Sequence, residues 1–563
     1  MPVRPDDSHS RGIALPPHGW GLVLLLVLYI LPGLIGHDPW KVDDAVTIGV
    51  VHSMLRDGHW LMPHLAGQPY PDAPFYYWIA AASGQLFSWL LPLHDAARLA
   101  SGALTLLALG FILLATRELH GRENAAAGPL ILAGSIGFLF HAHEAQPMLA
   151  ALTAHTAAYW GLTLLARRPR AGGLIFGGAA GFAFLANGLI TTLALLPIAL
   201  FAGIHASNRK QALGALLAGL LPALALPALW LLPVLDVAPE YFAAFWQGEL
   251  RAPASEVSIW HNVWQYLELL PWYAWPALPL AAWTLWRRRR ALGSAPVALP
   301  LAAFAIMLLI LGLCFSARSA PTLLLLPPLV LLAAPGPAIL RRGAANAFDW
   351  FGMITFSLFA VLAWVGWSAM VFDWPARLAR QVVRLEPGFV GHFSLPAFAV
   401  ALLATLAWCW LIASSPRSPM RGVTHWMAGV TLFWLLIAML WMPWIDYGKT
   451  YRPLSGELAR AMPAKHGCIA SDLPRATLAS LDYFNGIRTL PIASSAGKRC
   501  DWRLTPGTGV EDGAPRGAKW RKVWEGGRPS DRRGKLYLYR REAAAPETSA
   551  GKDDGESGEH AAG

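Results

Sequence analysis

The chain has 563 residues, of which 55% are hydrophobic and only 14% charged, with a mean hydropathy of +0.42. Soluble proteins carry about 25% charged residues, so this composition argues against a soluble globular enzyme. Lys and Arg number 45 against 34 Asp and Glu. That excess points either to a nucleic-acid partner or to membrane sidedness, and the positions of the charges decide between them.

Apolar runs of about 20 residues, enough to cross a bilayer, recur near 20–36, 97–116, 125–141, 147–166, 171–187, 189–206, 211–235, 269–286, 295–315, 320–340, 349–371, 394–414 and 423–444. The pattern predicts 13 crossings. No small-residue cleavage site follows the first run, which continues into Gly36-His37-Asp38-Pro39-Trp40, so it reads as a retained anchor. With a cytoplasmic amino terminus, the short inner segments hold 17 Lys and Arg, including Arg167, Arg168, Arg170 and the run Arg287 to Arg290. The longer outer loops hold seven. The positive-inside rule is then obeyed in every inner segment, and an odd number of crossings puts the chain from Asp446 onward outside. Residues 75–92 are apolar enough to span, but counting them would invert Arg117, Arg122 and the Arg167 cluster. They read instead as an amphipathic helix on the outer face. The basic runs are thus anchors, and nucleic-acid binding is rejected. No P-loop, Rossmann fingerprint, HExxH or Cys/His zinc cluster is present.

The outer loops 37–74 and 236–268 are long, and loops of that length are usually functional or disordered. The composition of 37–74, rich in His, Asp, Pro and Trp, reads as ordered. The fold class expected is an all-α polytopic membrane protein, with a membrane domain over 1–445 and a small outer α/β domain over 446–542. The latter rests on alternating stretches such as Lys535-Leu536-Tyr537-Leu538-Tyr539-Arg540. The tail 543–563 is polar, acidic and poor in aromatics, and reads as disordered. Cys468 and Cys500 both fall outside, where they are a disulfide pair or two unrelated thiols; an oxidising compartment favours the pair.

The first outer loop carries the chemistry. Asp43-Asp44 follows a spanning run, and two adjacent carboxylates there are expensive if buried. Close like charges raise one pKa, which suits a general base or a metal site. The alternative is a solvated acidic loop.

The order of the pieces around this pair resembles the lipid-linked-sugar glycosyltransferases of the GT-C superfamily, which include protein O-mannosyltransferases and the aminoarabinose transferase that modifies lipid A. Their pattern is an acidic pair followed by a "GDW–P–G–PY–KPP–W" string. Here it corresponds to Asp43-Asp44, Gly58-His59-Trp60, Pro63, Gly67, Pro69-Tyr70, Pro74 and Trp78. Ala96-Ala97-Arg98-Leu99 is similar to the family's "aaRl", Gly181 to Gly188 to its "GlafLtKG" turn, and Leu270-Pro271-Trp272 to its "LPW". Phe315-Ser316 with Leu326-Pro327 is similar to "FS–K–YllP". The resemblance covers about 40–445. It implies a GT-C fold in a bacterial inner membrane, a monomer, a polyprenyl-phosphate sugar donor, and a lipid, protein or glycan acceptor. Membrane lipid surrounds the reaction, and a divalent Mg, Mn or Zn ion is a possible cofactor.

The departures are specific. The family's "KPP" lysine is Ala73, its second-loop acid is Gln146, its "KG" lysine is Asn187, and its late lysine is absent, leaving Arg318 nearby. The resemblance implies Asp43 as base for an inverting transfer, with Asp44 beside it. Glu144 is a substitute carboxylate for the lost acid. Lys41, His64, Tyr70, Arg98, His141, His143 and Arg318 are candidates to hold substrate or phosphate, and Asp72 is a metal candidate. Glu249, Arg251 and His261 are solvated loop charges or contacts to phosphate or acceptor. A secondary transporter and a catalytically degenerate family member are the competing readings. The transporter predicts internal repeats, and none is visible.

Overall fold

The computed structural model describes residues 20–251, 258–315, 319–507, 520–531 and 534–542. The expected tail 543–563 lies outside these, as does Arg318. Eight helices are long and apolar enough to cross a membrane, among them Leu93–His120, Pro169–Leu193 and Arg209–Val237. The other five predicted crossings are built from shorter helices. Trp20–Ile30 stops before Pro32, and Leu195–Ile204 has ten residues. Met148–Leu164 has 17. The 125–141 run splits into Ala127–Ala133 and Ile136–His141, with Ser135 extended between them. The 269–286 run splits between Ile259–Tyr273 and Ala277–Arg287. Pro276 at that break has no amide to donate and disfavours helix in the residue before it. The apolar segment after Pro74 forms helix Phe75–Leu86, twelve residues long. At 1.5 Å per residue that is about 18 Å, short of the ~30 Å hydrocarbon core.

Helix Val42–Asp57 opens on the acidic pair and is buried over most of its length. Carboxylates in a first turn face unpaired amides and the positive end of the helix dipole, so Asp43 and Asp44 favour a helix start at this point. Toward the other end of the chain lies a four-stranded sheet in the order Ile469–Ser471, Trp502–Pro506, Leu536–Arg541, Trp520–Gly526. The first pair is parallel and the rest antiparallel, with Leu504 opposite Leu538. The alternation in Leu536-Tyr537-Leu538 puts both leucines into a core with Leu454, Leu458, Leu481 and Trp502. Cys468 and Cys500 are joined by a disulfide, which closes the start of this sheet.

Helix Arg475–Asn485 packs from this C-terminal sheet onto Val42–Asp57. The close approach requires Gly49, where an added Cβ would lie 2.7 Å from Cβ of Ala479 and 2.8 Å from Leu65. Polar clamps reinforce the contact. Arg56 donates to both oxygens of Asp482 at 3.0 and 2.8 Å, and Arg488 bridges Asp57 and Asp482. Asp38 accepts from Thr450 at 2.6 Å and from Arg452, and the hydroxyl of Tyr483 lies 2.8 Å from Nδ1 of His94. Burial alone would push the Asp38 carboxyl up, but hydrogen bonds from Arg452 and Thr450 hold it below its ordinary value. Its contribution to stability is therefore complete above the unfolded value of about 4 and disappears as pH falls through the lowered one. In thermal unfolding of the full chain, Asp38→Asn is expected to melt below wild type at pH 7, and the gap is expected to close toward pH 3.

Candidate active site

Two cavities meet at the start of Val42–Asp57. The larger, of ≈ 760 Å³, is lined by residues that include Asp43, Tyr70, Asp72, Gln146, Asn187 and Arg475. The smaller, of ≈ 400 Å³, is lined by Lys41, Val42, Asp43, Phe140, His141, Glu144, Trp272 and Tyr273. Val42 and Asp43 belong to both walls. Small-molecule sites typically enclose about 300–1,000 Å³, so each has room for a polar ligand.

The two carboxylates of the pair have opposite fates. Asp44 is fully buried. Arg98 grips it with Nε at 3.0 Å and Nη2 at 2.7 Å, and the Ala145 amide donates at 2.7 Å. Burial would raise the Asp44 pKa, but the Arg98 charge and hydrogen bonds bring it below the ordinary carboxylate range. The expected mutual elevation within the acidic pair is overturned, because a cation 54 residues away neutralises one member. Asp44 is therefore not available as a reacting acid. Arg98 is corrected as well: it is fully buried, and its remaining donors go to Asp95 at 3.1 Å and the His37 carbonyl at 2.8 Å, leaving no free edge for phosphate. Asp43, one position earlier, points away from the core and is exposed to both cavities. Its Oδ2 accepts from Gln146 Nε2 at 2.9 Å. Gln146 is fixed in that orientation because its Oε1 accepts the Met148 amide at 3.2 Å.

The remaining candidates divide between the cavities and the framework. Lys41 pairs with Glu144 at 3.2 Å and donates to the Phe140 carbonyl, and His141 Nδ1 lies 2.7 Å from the other Glu144 oxygen. Burial raises the Glu144 carboxyl, while the Lys41 charge and the His141 hydrogen bond bring it below its ordinary value. Glu144 is thus a buried, paired carboxylate that holds two cationic or donor side chains on the small cavity, rather than a free base. His141 Nε2 is buried with no hydrogen-bond partner among the described residues. His143 is corrected: both ring nitrogens lie against backbone carbonyls, of Leu139 at 3.0 Å and Tyr29 at 2.7 Å, and it lines neither cavity. His64 also lines neither; it stacks on His59 at 3.9 Å and engages the Met62 carbonyl. Tyr70 does reach the large cavity, where burial and the Asp72 charge push its hydroxyl up to about 12, so it is a neutral donor.

Asp72 lies in the large cavity, half-buried. One oxygen accepts from Tyr77 at 2.7 Å and the other from the Ala73 amide at 2.8 Å. Burial pushes its carboxyl above the ordinary value against the pull of the Tyr77 hydrogen bond. Among the described residues no group of three His, Cys, Asp or Glu converges to hold a metal ion. Both Asp72 oxygens already accept a hydrogen bond, and no step is derived through a metal.

Three further elements take their meaning from the structure, and of these only Arg475 had no sequence signal. The Gly181–Gly188 motif marks a break inside helix Pro169–Leu193. Asn187 leaves helical geometry there, and Gly188 takes φ +75°, which excludes most side chains. Glu249 caps the restarted helix, accepting from the Leu189 amide at 2.7 Å, so it is a structural cap rather than a solvated charge. Finally, Arg475 reaches the large cavity from the C-terminal sheet region, with its guanidinium carbon 5.2 Å from the Tyr70 ring centroid.

Removing one partner of a buried pair leaves an uncompensated charge and costs about 3–5 kcal/mol. Arg98→Ala is therefore expected to abolish recovery of folded protein in size-exclusion chromatography. Arg98→Lys is expected to rescue little, since a point charge cannot serve two carboxylates and a carbonyl. Asp72→Asn should behave oppositely to Asp38→Asn. A raised carboxyl destabilises the fold once pH passes through its folded pKa, so the melting temperature of Asp72→Asn should gain on wild type as pH rises from 4 to 8. A constant difference would contradict this assignment.

No family model matches the chain. The undecaprenyl phosphate-alpha-4-amino-4-deoxy-L-arabinose arabinosyl transferase of Pseudomonas aeruginosa is 28% identical over 449 residues, 75% of each chain. The enzyme of that name from Edwardsiella ictaluri is 30% identical over 292 residues, 48% of this chain and 51% of that one. The crystal structure of ArnT from Cupriavidus metallidurans bound to undecaprenyl phosphate superposes with a TM-score of 0.64, covering 92% of this chain and 97% of that one at 16% identity, and shows a common fold. The ordered loop motifs, the matched sequences and the shared architecture agree: the chain is similar to undecaprenyl phosphate-aminoarabinose transferases over three quarters of its length and shares the fold of ArnT.

Proposed function

We propose that the protein transfers a sugar from an undecaprenyl-phosphate-linked donor to a hydroxyl of a lipid, protein or glycan acceptor at the outer face of a bacterial inner membrane. The observation that carries this reading is the position of Asp43 on the shared wall of two cavities. A single displacement needs the nucleophile and the leaving group on opposite sides of one carbon. The donor sugar-phosphate occupies the larger cavity and the acceptor hydroxyl enters from the smaller. Asp43 takes the hydroxyl proton, the oxygen attacks the anomeric carbon, the carbon–oxygen bond to phosphate breaks, and the anomeric centre inverts. Undecaprenyl phosphate leaves with the bonding electrons. Gln146 holds the Asp43 carboxylate in place, and Lys41 and His141 present donors to the acceptor side. The names of the matched relatives make an undecaprenyl-phosphate aminopentose the first donor to try.

The accompanying topology is 13 crossings within 1–445, a cytoplasmic amino terminus, an outer α/β domain over 446–542 and a monomer. The basic inner segments support the sidedness, and the Cys468–Cys500 disulfide supports an oxidising location for the C-terminal domain.

Purified wild type is expected to transfer the aminopentose from undecaprenyl phosphate to lipid A in a radiolabel assay. Asp43→Asn should keep the wild-type melting temperature and lose about 10²–10⁴-fold in turnover, the usual size of a general-base contribution. Turnover undiminished in Asp43→Asn would overturn its role.

A further inference from the structure

The larger cavity faces a charge problem. Two of its lining groups, Asp43 and Asp72, are acids, and its ligand under the reading above is a lipid phosphate. A phosphate brought beside two carboxylates needs a cation, and its leaving-group charge in the transition state needs one more. The positions where a lysine would be expected offer none: Ala73 is apolar and fully buried, and Asn187 lines the cavity as a neutral amide. Arg98 is consumed by Asp44 and Asp95, and Lys41 is paired to Glu144 on the other cavity.

Arg475 is the single Lys or Arg among the described residues that line the larger cavity. Its side chain is exposed, and among the described residues no carboxylate lies within ion-pair distance of it. The Tyr70 side chain orients the guanidinium, whose carbon lies 5.2 Å from the ring centroid, and an arginine has five N–H donors, more than one tyrosine can engage. Arginine is the side chain best matched to phosphate, because its planar fork makes two parallel charge-assisted hydrogen bonds. The residue opens helix Arg475–Asn485, and that helix is fixed against the acidic-pair helix by the Gly49–Ala479 approach and the Arg56–Asp482 bridge. The packing that docks the C-terminal sheet therefore also brings Arg475 to the cavity.

We propose, resting on the donor reading above, that Arg475 is the phosphate-binding residue for the polyprenyl-phosphate group, so that the C-terminal segment completes the active site. It offsets the loss of lysine at positions 73 and 187. It contributes to donor binding and to stabilising the charge that the lipid phosphate gains as the bond to the sugar breaks.

The test compares binding of undecaprenyl phosphate and of undecaprenol, which lacks the phosphate, to the full chain in nanodiscs by native mass spectrometry. Wild type is expected to prefer the phosphate form. Arg475→Ala should weaken undecaprenyl phosphate binding about 10- to 100-fold and leave undecaprenol unaffected, while Arg475→Lys recovers part of the loss. Asp43→Asn, which removes a negative charge from the cavity, should bind the phosphate form at least as tightly as wild type yet fail to transfer. Asp482→Ala, which alters no cavity residue but loosens the helix that carries Arg475, should weaken phosphate binding without changing undecaprenol binding. Equal phosphate affinity in wild type and Arg475→Ala would overturn the assignment of Arg475 while leaving the donor reading standing. A wild type with no preference for the phosphate form would overturn both.

Discussion

The site depends on one buried ion pair. Asp44 and Arg98 come from helices separated by the whole first loop, and neither is accessible to solvent. Desolvating both charges is costly, and the cost is offset only because every strong donor and acceptor is matched: Arg98 to two carboxylates and a carbonyl, Asp44 to Arg98 and the Ala145 amide. The pair fixes the first turn of Val42–Asp57 against helix Leu93–His120 and against the segment that carries Ala145. Asp43 precedes Asp44 by one residue, which on a helix is a rotation of about 100°. Once Asp44 is held in the core, Asp43 must face outward, and outward here means into the junction of the two cavities.

The same helix carries the C-terminal sheet on another face. Gly49 sets how closely Arg475–Asn485 approaches, and Arg56, Asp57, Asp482 and Arg488 form a small ionic network around the contact. Only Asp482 of these four is deeply buried. Exposed pairs contribute little singly, so the network acts as an orienting device whose strength comes from the buried member. One element thus carries Asp43 directly and positions Arg475 indirectly, and both placements share the packing of a 16-residue helix.

Much of this was legible in the sequence, and the limits have physical causes. Composition and inner-segment arginines identify a membrane protein, since charge is too costly in lipid to be misplaced. Alternation in Leu536 to Tyr539 located a strand. Five of the 13 predicted crossings are not single long helices, because hydropathy averages over breaks such as Ser135 and Pro276, where the backbone bends although the side chains stay apolar. Motif order identified the loop that bears the site, but adjacent carboxylates look alike until the partner of one is known. Arg98 looked available for phosphate for the same reason: an arginine in a motif does not show what its fork already holds. Glu249 and Arg475 are tertiary facts. The first caps a helix 60 residues away, and the second faces Tyr70 across about 400 residues, so no local pattern marks either.

The most direct test of this arrangement is a cryo-EM map of the full chain in nanodiscs with undecaprenyl phosphate added. The account predicts phosphate density in the larger cavity, within hydrogen-bond reach of Arg475, with Asp43 between it and the Lys41–Glu144 cavity. Phosphate density beside Lys41 and His141 in the smaller cavity, or outside both cavities, would contradict it.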